Sequence, residues 1–94
     1  MAMSFVVMYH PEVVKEDIPA LPKKERERIQ TAIEQKLTTR PEVFGKPLRR
    51  SLKGYRKLRV GDYRVIFRIQ GSTVKIFVIG NRSIVYEQNQ QRFQ

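Results

Sequence analysis

The chain predicts an α+β domain in the order β-α-α-β-β-β, an antiparallel sheet with two helices packed on one face. Three observations carry that prediction. Between Gly54 and Ile69, β-branched and aromatic residues alternate with cations on either side of Gly61-Asp62, the pattern of two strands joined by a tight turn. Thr73 to Ile79 follows as a nearly unbroken apolar run, bounded by Gly71 and Gly80. Ahead of these, Pro11 and Pro22 open two stretches of helical spacing, where proline is tolerated because the first turn has no acceptor for its missing N–H.

In order along the chain, Ser4 to Tyr9 (SFVVMY) is read as the first strand, its apolar run suited to cover on more than one side. His10-Pro11 starts the first helix, with Val13 and Val14 expected to face inward and Glu12, Glu16 and Asp17 outward. Pro19 should end or kink it, since the ring clashes with the preceding turn. His10, the single histidine, is read as a helix-end residue rather than a general base. The second helix runs from Pro22 to about Thr38, with Ile29, Ala32, Ile33 and Leu37 (or the stem of Lys36) as its apolar stripe. Its alternating Lys23, Lys24, Glu25, Arg26, Glu27 and Arg28 form a solvated face. Pro41 to Pro47 reads as loop, and Leu48 to Lys53 as a basic connector anchored by its two leucines.

The hairpin then sets two faces, because side chains alternate along a strand. If Val60 and Tyr63 flank the turn, Leu58 faces Val65, Arg59 faces Arg64 and Lys57 faces Ile66. Leu58, Val60, Tyr63, Val65 and Phe67 share the face to be buried, and Tyr55, Lys57, Arg59, Arg64 and Arg68 share the other. In Thr73 to Ile79, simple alternation puts Val74, Ile76 and Val78 on one face and Phe77 and Ile79 on the other. Being apolar on both, this strand is expected inside the sheet. Arg82 to Glu87 is a last short strand or extended segment, and Gln88 to Gln94 a polar tail.

The 94 residues fit one domain, 1–94, with a modest core. The absence of cysteine rules out a disulfide framework, a thiol nucleophile and any zinc site built on cysteine. No apolar run near the start suits a signal peptide or a membrane span, so the expectation is a cytoplasmic protein without membrane contact. The net charge of +10 is placed unevenly: residues 1–47 hold eight Lys/Arg against seven Asp/Glu, and residues 48–94 eleven against two. Like charges opposite each other weaken a sheet. A basic half that interleaves cations with strand residues therefore points to an anionic partner from outside the chain, and nucleic acid is the natural one.

The segment from Lys46 to Ile69 (KPLRRSLKGYRKLRVGDYRVIFRI), the apolar strand after it, and then Gly80-Asn81-Arg82 and Val85-Tyr86 resemble the RelE/ParE superfamily of bacterial toxins. The order of elements agrees over nearly the whole chain. That resemblance implies a toxin of a type II toxin–antitoxin pair. RelE-like members are ribosome-dependent endoribonucleases (mRNA interferases) that block translation by cutting messenger RNA, and each is neutralised by a cognate antitoxin. By position, the resemblance implies that Lys57, Arg59, Arg64, Arg82 and Tyr86 carry the chemistry, with Tyr55, Arg49, Arg50, Lys53 and Arg68 as RNA contacts. Two departures stand out. Asn81 takes the place where many relatives have a histidine, and Tyr55 a place that is basic in some.

Cutting RNA through its own 2′-hydroxyl needs a base, cations for the phosphorane and an acid for the leaving 5′-oxygen. Arginine suits the second task, being always charged and able to grip phosphate oxygens in pairs. Cations favour the deprotonated form of a neighbouring lysine or tyrosine, which makes Lys57, close to Arg59 and Arg64, the base candidate. Tyr86 is open to proton chemistry, phosphate orientation or base stacking. With no carboxylate pair, metal-ligand cluster or glycine-rich phosphate loop in the sequence, the enzymatic reading is metal-independent and needs no cofactor. The alternatives are a ParE-like inhibitor of DNA gyrase that hydrolyses nothing, and an RNA-binding homologue without catalysis.

Overall fold

The computed structural model describes residues 4–49, 52–81 and 90–93. β1 (Val6–Tyr9) leads into α1 (11–20), α2 (23–37) and a short α3 (Pro41–Phe44). β2 (Lys46–Pro47), β3 (Arg56–Val60), β4 (Tyr63–Gln70) and β5 (Thr73–Asn81) follow, and Gln90–Arg92 make a single 3-10 turn. The five strands form one sheet in the order β1-β5-β4-β3-β2. The hairpin register is the expected one, with Val60 opposite Tyr63, Arg59 opposite Arg64, Leu58 opposite Val65 and Lys57 opposite Ile66. Gly61 makes this turn possible with a φ of +60°, a left-handed conformation that costs glycine nothing.

The sheet is antiparallel except at one edge, where β1 runs parallel to β5. No turn links those two strands, so nothing local in the sequence dictated their relative direction. Another difference lies in 41–47, read as loop. It forms α3, with Pro41 in the first turn, and then β2, which pairs Lys46 with Lys57 and Pro47 with Arg56. Proline survives there because β2 is an edge strand and no ladder needs its N–H.

The main core lies between the sheet and the helices. Ile29, Ile33 and Leu37 of α2 meet Leu58, Val65 and Phe67 of the hairpin, all buried. Both long helices widen to i→i+5 turns, α1 over Val13–Asp17 and α2 over Ile33–Leu37. In α1 the widened turn leads into Pro19, and the helix stops at Ala20. Val13 is buried as expected, but Val14 is 57% exposed and Asp17 turns inward. The helical period explains this correction, because i and i+4 share a face, so Asp17 rather than Val14 follows Val13.

β5 also departs from simple alternation. The register slips by one residue between Ile66, opposite Val78, and Phe67, opposite Ile76. Phe77 is the extra residue of this bulge, so Phe77 and Val78 both join the second face while Ile79 returns to the helix side with Val74 and Ile76. On the second face Tyr55, Ile66, Phe77 and Val78 form a smaller buried cluster, closed by Leu48 and Phe93. Among the described residues, that face is therefore covered at its centre and open at its basic parts and at Val6 and Met8 of β1.

Part of the expected polar tail is built into the fold. Arg92 pairs with Asp17 at 2.6 Å, its side chain 5% exposed, and donates to the Phe77 carbonyl at 3.2 Å. Asp17 accepts the Ile79 N–H at 2.9 Å. β1 reaches β5 only as far as Ile76, so these two side chains satisfy the backbone of β5 where its neighbour has ended.

Candidate nucleic-acid interface

Strand alternation and the hairpin register together decide the site. Lys57 and Arg59 are two apart on β3 and so share a face, and Arg64 of β4 stands directly across from Arg59. β2 then sets Lys46 directly across from Lys57. Two like-charge pairs thus lie side by side at the turn end of the sheet, each costing stability. Arg59 Nε and Arg64 Nη1 make long 3.3 Å bonds to the carbonyls of Gly61 and Tyr63. Such bonds aim a guanidinium without neutralising it.

These residues line a concavity of about 240 Å³ to which α2 gives Lys36, α3 gives Phe44 and β2 gives Lys46, the rest of its lining being Lys57, Leu58, Arg59 and Arg64. Among the described residues of the lining, five of the seven are cations and none is a carboxylate. The Lys36 ammonium sits over the Phe44 ring, 5.5 Å from its centroid. Such a lining concentrates positive potential in a recess walled by protein, which favours a phosphate with its neighbouring sugar and base.

Of the residues expected to carry chemistry, Lys57, Arg59 and Arg64 come together here, while Arg82 and Tyr86 lie outside the described residues. Among the expected RNA contacts, Arg49 and Lys53 are exposed and Arg50 is outside the described residues. Tyr55 is 6% exposed, packed edge-on against Phe77 and Phe93 at 5.1 Å, with the Arg68 guanidinium 5.5 Å from its ring centroid. Tyr55 is thus a floor for Arg68 rather than a free surface ring. Lys36, Phe44 and Lys46 were missed by sequence reasoning. Lys36 falls where helical spacing offered its stem to the apolar stripe, and Lys46 gains its place through a two-residue strand with no propensity signal.

His10 is not near this recess. It lies by Phe77, with ring centroids 6.1 Å apart, and its Nδ1 accepts the Glu12 N–H at 3.1 Å. Burial, and then the charges of Arg92 and Lys75, hold its imidazole below the ordinary value, against the weaker pull of Glu12 and Asp17. Among the described residues, no group of three or more His, Asp or Glu side chains is arranged to hold a metal ion, and no helix is long and apolar enough to cross a membrane.

Comparison with known proteins gives a consistent result. The family described as the ParE toxin of type II toxin–antitoxin system, parDE, matches residues 7–86. Toxin RelE of Mycobacterium tuberculosis is 36% identical over 75 residues, covering 78% of this chain and 77% of that protein. Among solved structures, the toxin–antitoxin complex RelBE2 of M. tuberculosis contains a chain that superposes with a TM-score of 0.79 at 29% identity, covering 86% of this chain and 94% of that one. The archaeal RelE–RelB complex of Pyrococcus horikoshii matches with a TM-score of 0.60 at 27% identity, over 86% of this chain and 98% of that one. A mutant of Escherichia coli toxin RelE in the free state shares the fold at 20% identity, with a TM-score of 0.67 over 98% of this chain and the whole of that one.

Proposed function

The chain belongs to the RelE/ParE superfamily of type II toxin–antitoxin toxins, and from that membership we propose that it is a ribosome-dependent endoribonuclease cutting messenger RNA without a metal. The observation that carries this reading is the recess holding Lys57, Arg59 and Arg64 with no carboxylate among the described residues of its lining. In the proposed step, Lys57 takes the proton of a 2′-hydroxyl as its oxygen attacks the adjacent phosphorus. Arg59 and Arg64 hold the two non-bridging oxygens as negative charge accumulates in the phosphorane. The bond to the 5′-oxygen breaks and that oxygen takes up a proton from water, leaving a 2′,3′-cyclic phosphate and a 5′-hydroxyl. Arg82 would add a further cation, and Tyr86 a hydroxyl or a stacking ring. A cognate antitoxin is the proposed protein partner, supported by relatives whose structures are toxin–antitoxin complexes.

The test is cell-free translation with added protein, followed by mapping of mRNA ends. Cuts within translated codons are expected. Arg64→Ala should lower single-turnover cleavage on the ribosome by ~10²-fold while ribosome binding falls much less, because many other phosphate contacts remain. Lys57→Arg should match Lys57→Ala if the lysine is the base, and retain activity if it is only a phosphate clamp. The match to a family described as ParE toxin favours a second reading, inhibition of DNA gyrase. Intact mRNA together with gyrase-dependent plasmid linearisation would select it.

A further inference from the structure

Among the described residues, Phe44 is the one aromatic ring lining the cationic recess, and it is 42% exposed. It ends α3, whose first turn is anchored by the buried Pro41, so the ring is carried on a fixed support. Arg56, across the edge, reinforces that support by donating to the carbonyls of Gly45 at 2.9 Å and Glu42 at 3.3 Å. Lys36 covers the ring as a cation held over a π face. Around it stand Lys46, Lys57, Arg59 and Arg64. A hydrophobic ring left in water beside five cations is a poor arrangement for solubility alone, and a good one for a nucleotide: the cations take the phosphate and the ring takes the base.

Resting on the ribonuclease reading of the recess, we propose that Phe44 is the base platform of the site. A nucleobase next to the phosphate at Lys57, Arg59 and Arg64 stacks on its ring, and the Lys36 ammonium either completes the stack or moves onto the neighbouring phosphate. The ligand is single-stranded RNA, since a base held in a duplex has no free face to offer. Stacking accepts any base but gains most from the larger purine surface, so Phe44 also sets a purine preference at that position.

The test uses a short 2′-O-methyl RNA, which cannot be cut, carrying the fluorescent base 2-aminopurine. With the wild-type protein, saturable quenching is expected. Phe44→Tyr should keep it. Phe44→Leu, which retains apolar volume at an exposed position, should abolish the quenching and weaken binding about tenfold. An abasic nucleotide at the same position should weaken wild-type binding to the same degree and cost the Phe44→Leu variant nothing more. Equal quenching in Phe44→Leu, or losses from the variant and the abasic site that multiply, would overturn the proposal. So would an acidic peptide binding through Phe44 and Val43 with no RNA bound, which would make this corner a protein-docking surface. These readouts need no cleavage. Failure of the ribonuclease reading would appear separately, as intact mRNA in translation or undiminished cleavage by Arg64→Ala.

Discussion

At the scale of single residues, Phe67 and Gly45 state how tightly the main core is built. Phe67 is fully buried, and a Cβ at position 45 would come within 2.2 Å of its ring. Phe67→Ala should cost about 3–5 kcal/mol by leaving a cavity, whereas Gly45→Ala should cost about 1–3 kcal/mol by overfilling the same place. Denaturation midpoints check both, and Gly45→Ala should cost less when combined with Phe67→Leu, because the two sites share one volume. His10 gives a pH signature. Its folded-state pKa is lowered, so the unfolded chain takes up the proton first and stability is lost as pH falls below about 6.5, levelling off beneath the folded value. Protonation at Nδ1 would also break its bond to the Glu12 N–H. Denaturant midpoints measured at about pH 7.5 and about pH 5.5 should differ more in the wild type than in His10→Gln.

At the scale of elements, the β3–β4 hairpin was legible in full. Period-two alternation and a glycine turn are local signals, and they set the register that brings Arg59 and Arg64 together. The bulge at Phe77 was not legible, since one extra residue in an apolar run leaves composition unchanged. The α1 face could have been read from Val13 and Asp17 at i and i+4, yet a carboxylate invites an outward assignment unless its distant partner is known. That partner is Arg92, and the pair is shielded from water, its guanidinium 5% and its carboxylate 10% exposed. Removing one member strands the other, so Asp17→Ala or Arg92→Ala should cost about 3–5 kcal/mol, while the paired change Asp17→Leu/Arg92→Met should cost less than the sum. A double-mutant cycle in urea measures the difference. The site's remaining members, Lys36, Phe44 and Lys46, come from separate elements whose meeting is a tertiary event.

At the scale of the whole molecule, the charge is polarised, with residues 48–94 holding eleven Lys/Arg against two Asp/Glu. That imbalance was visible at once, and it fits a protein whose partners are anionic. The proposed complex with an antitoxin should therefore weaken as salt rises from about 0.1 M to about 0.5 M, read by titration calorimetry, because exposed ion pairs are screened. Affinity indifferent to salt would place the contact on apolar surface instead.

The parallel pairing of Val6–Tyr9 with Thr73–Ile76 has a consequence in time. During synthesis the first strand has no neighbour until the last strand of the sheet has been made. β5 is the strand that joins β1 to the β2-β3-β4 part of the sheet, so the sheet is complete only when β5 docks. Pairing between such distant segments slows folding toward the millisecond-to-second range. A nascent chain that has not yet delivered β5 therefore carries an unfinished sheet, with β1 unpaired and the β4 edge open to any other strand it meets.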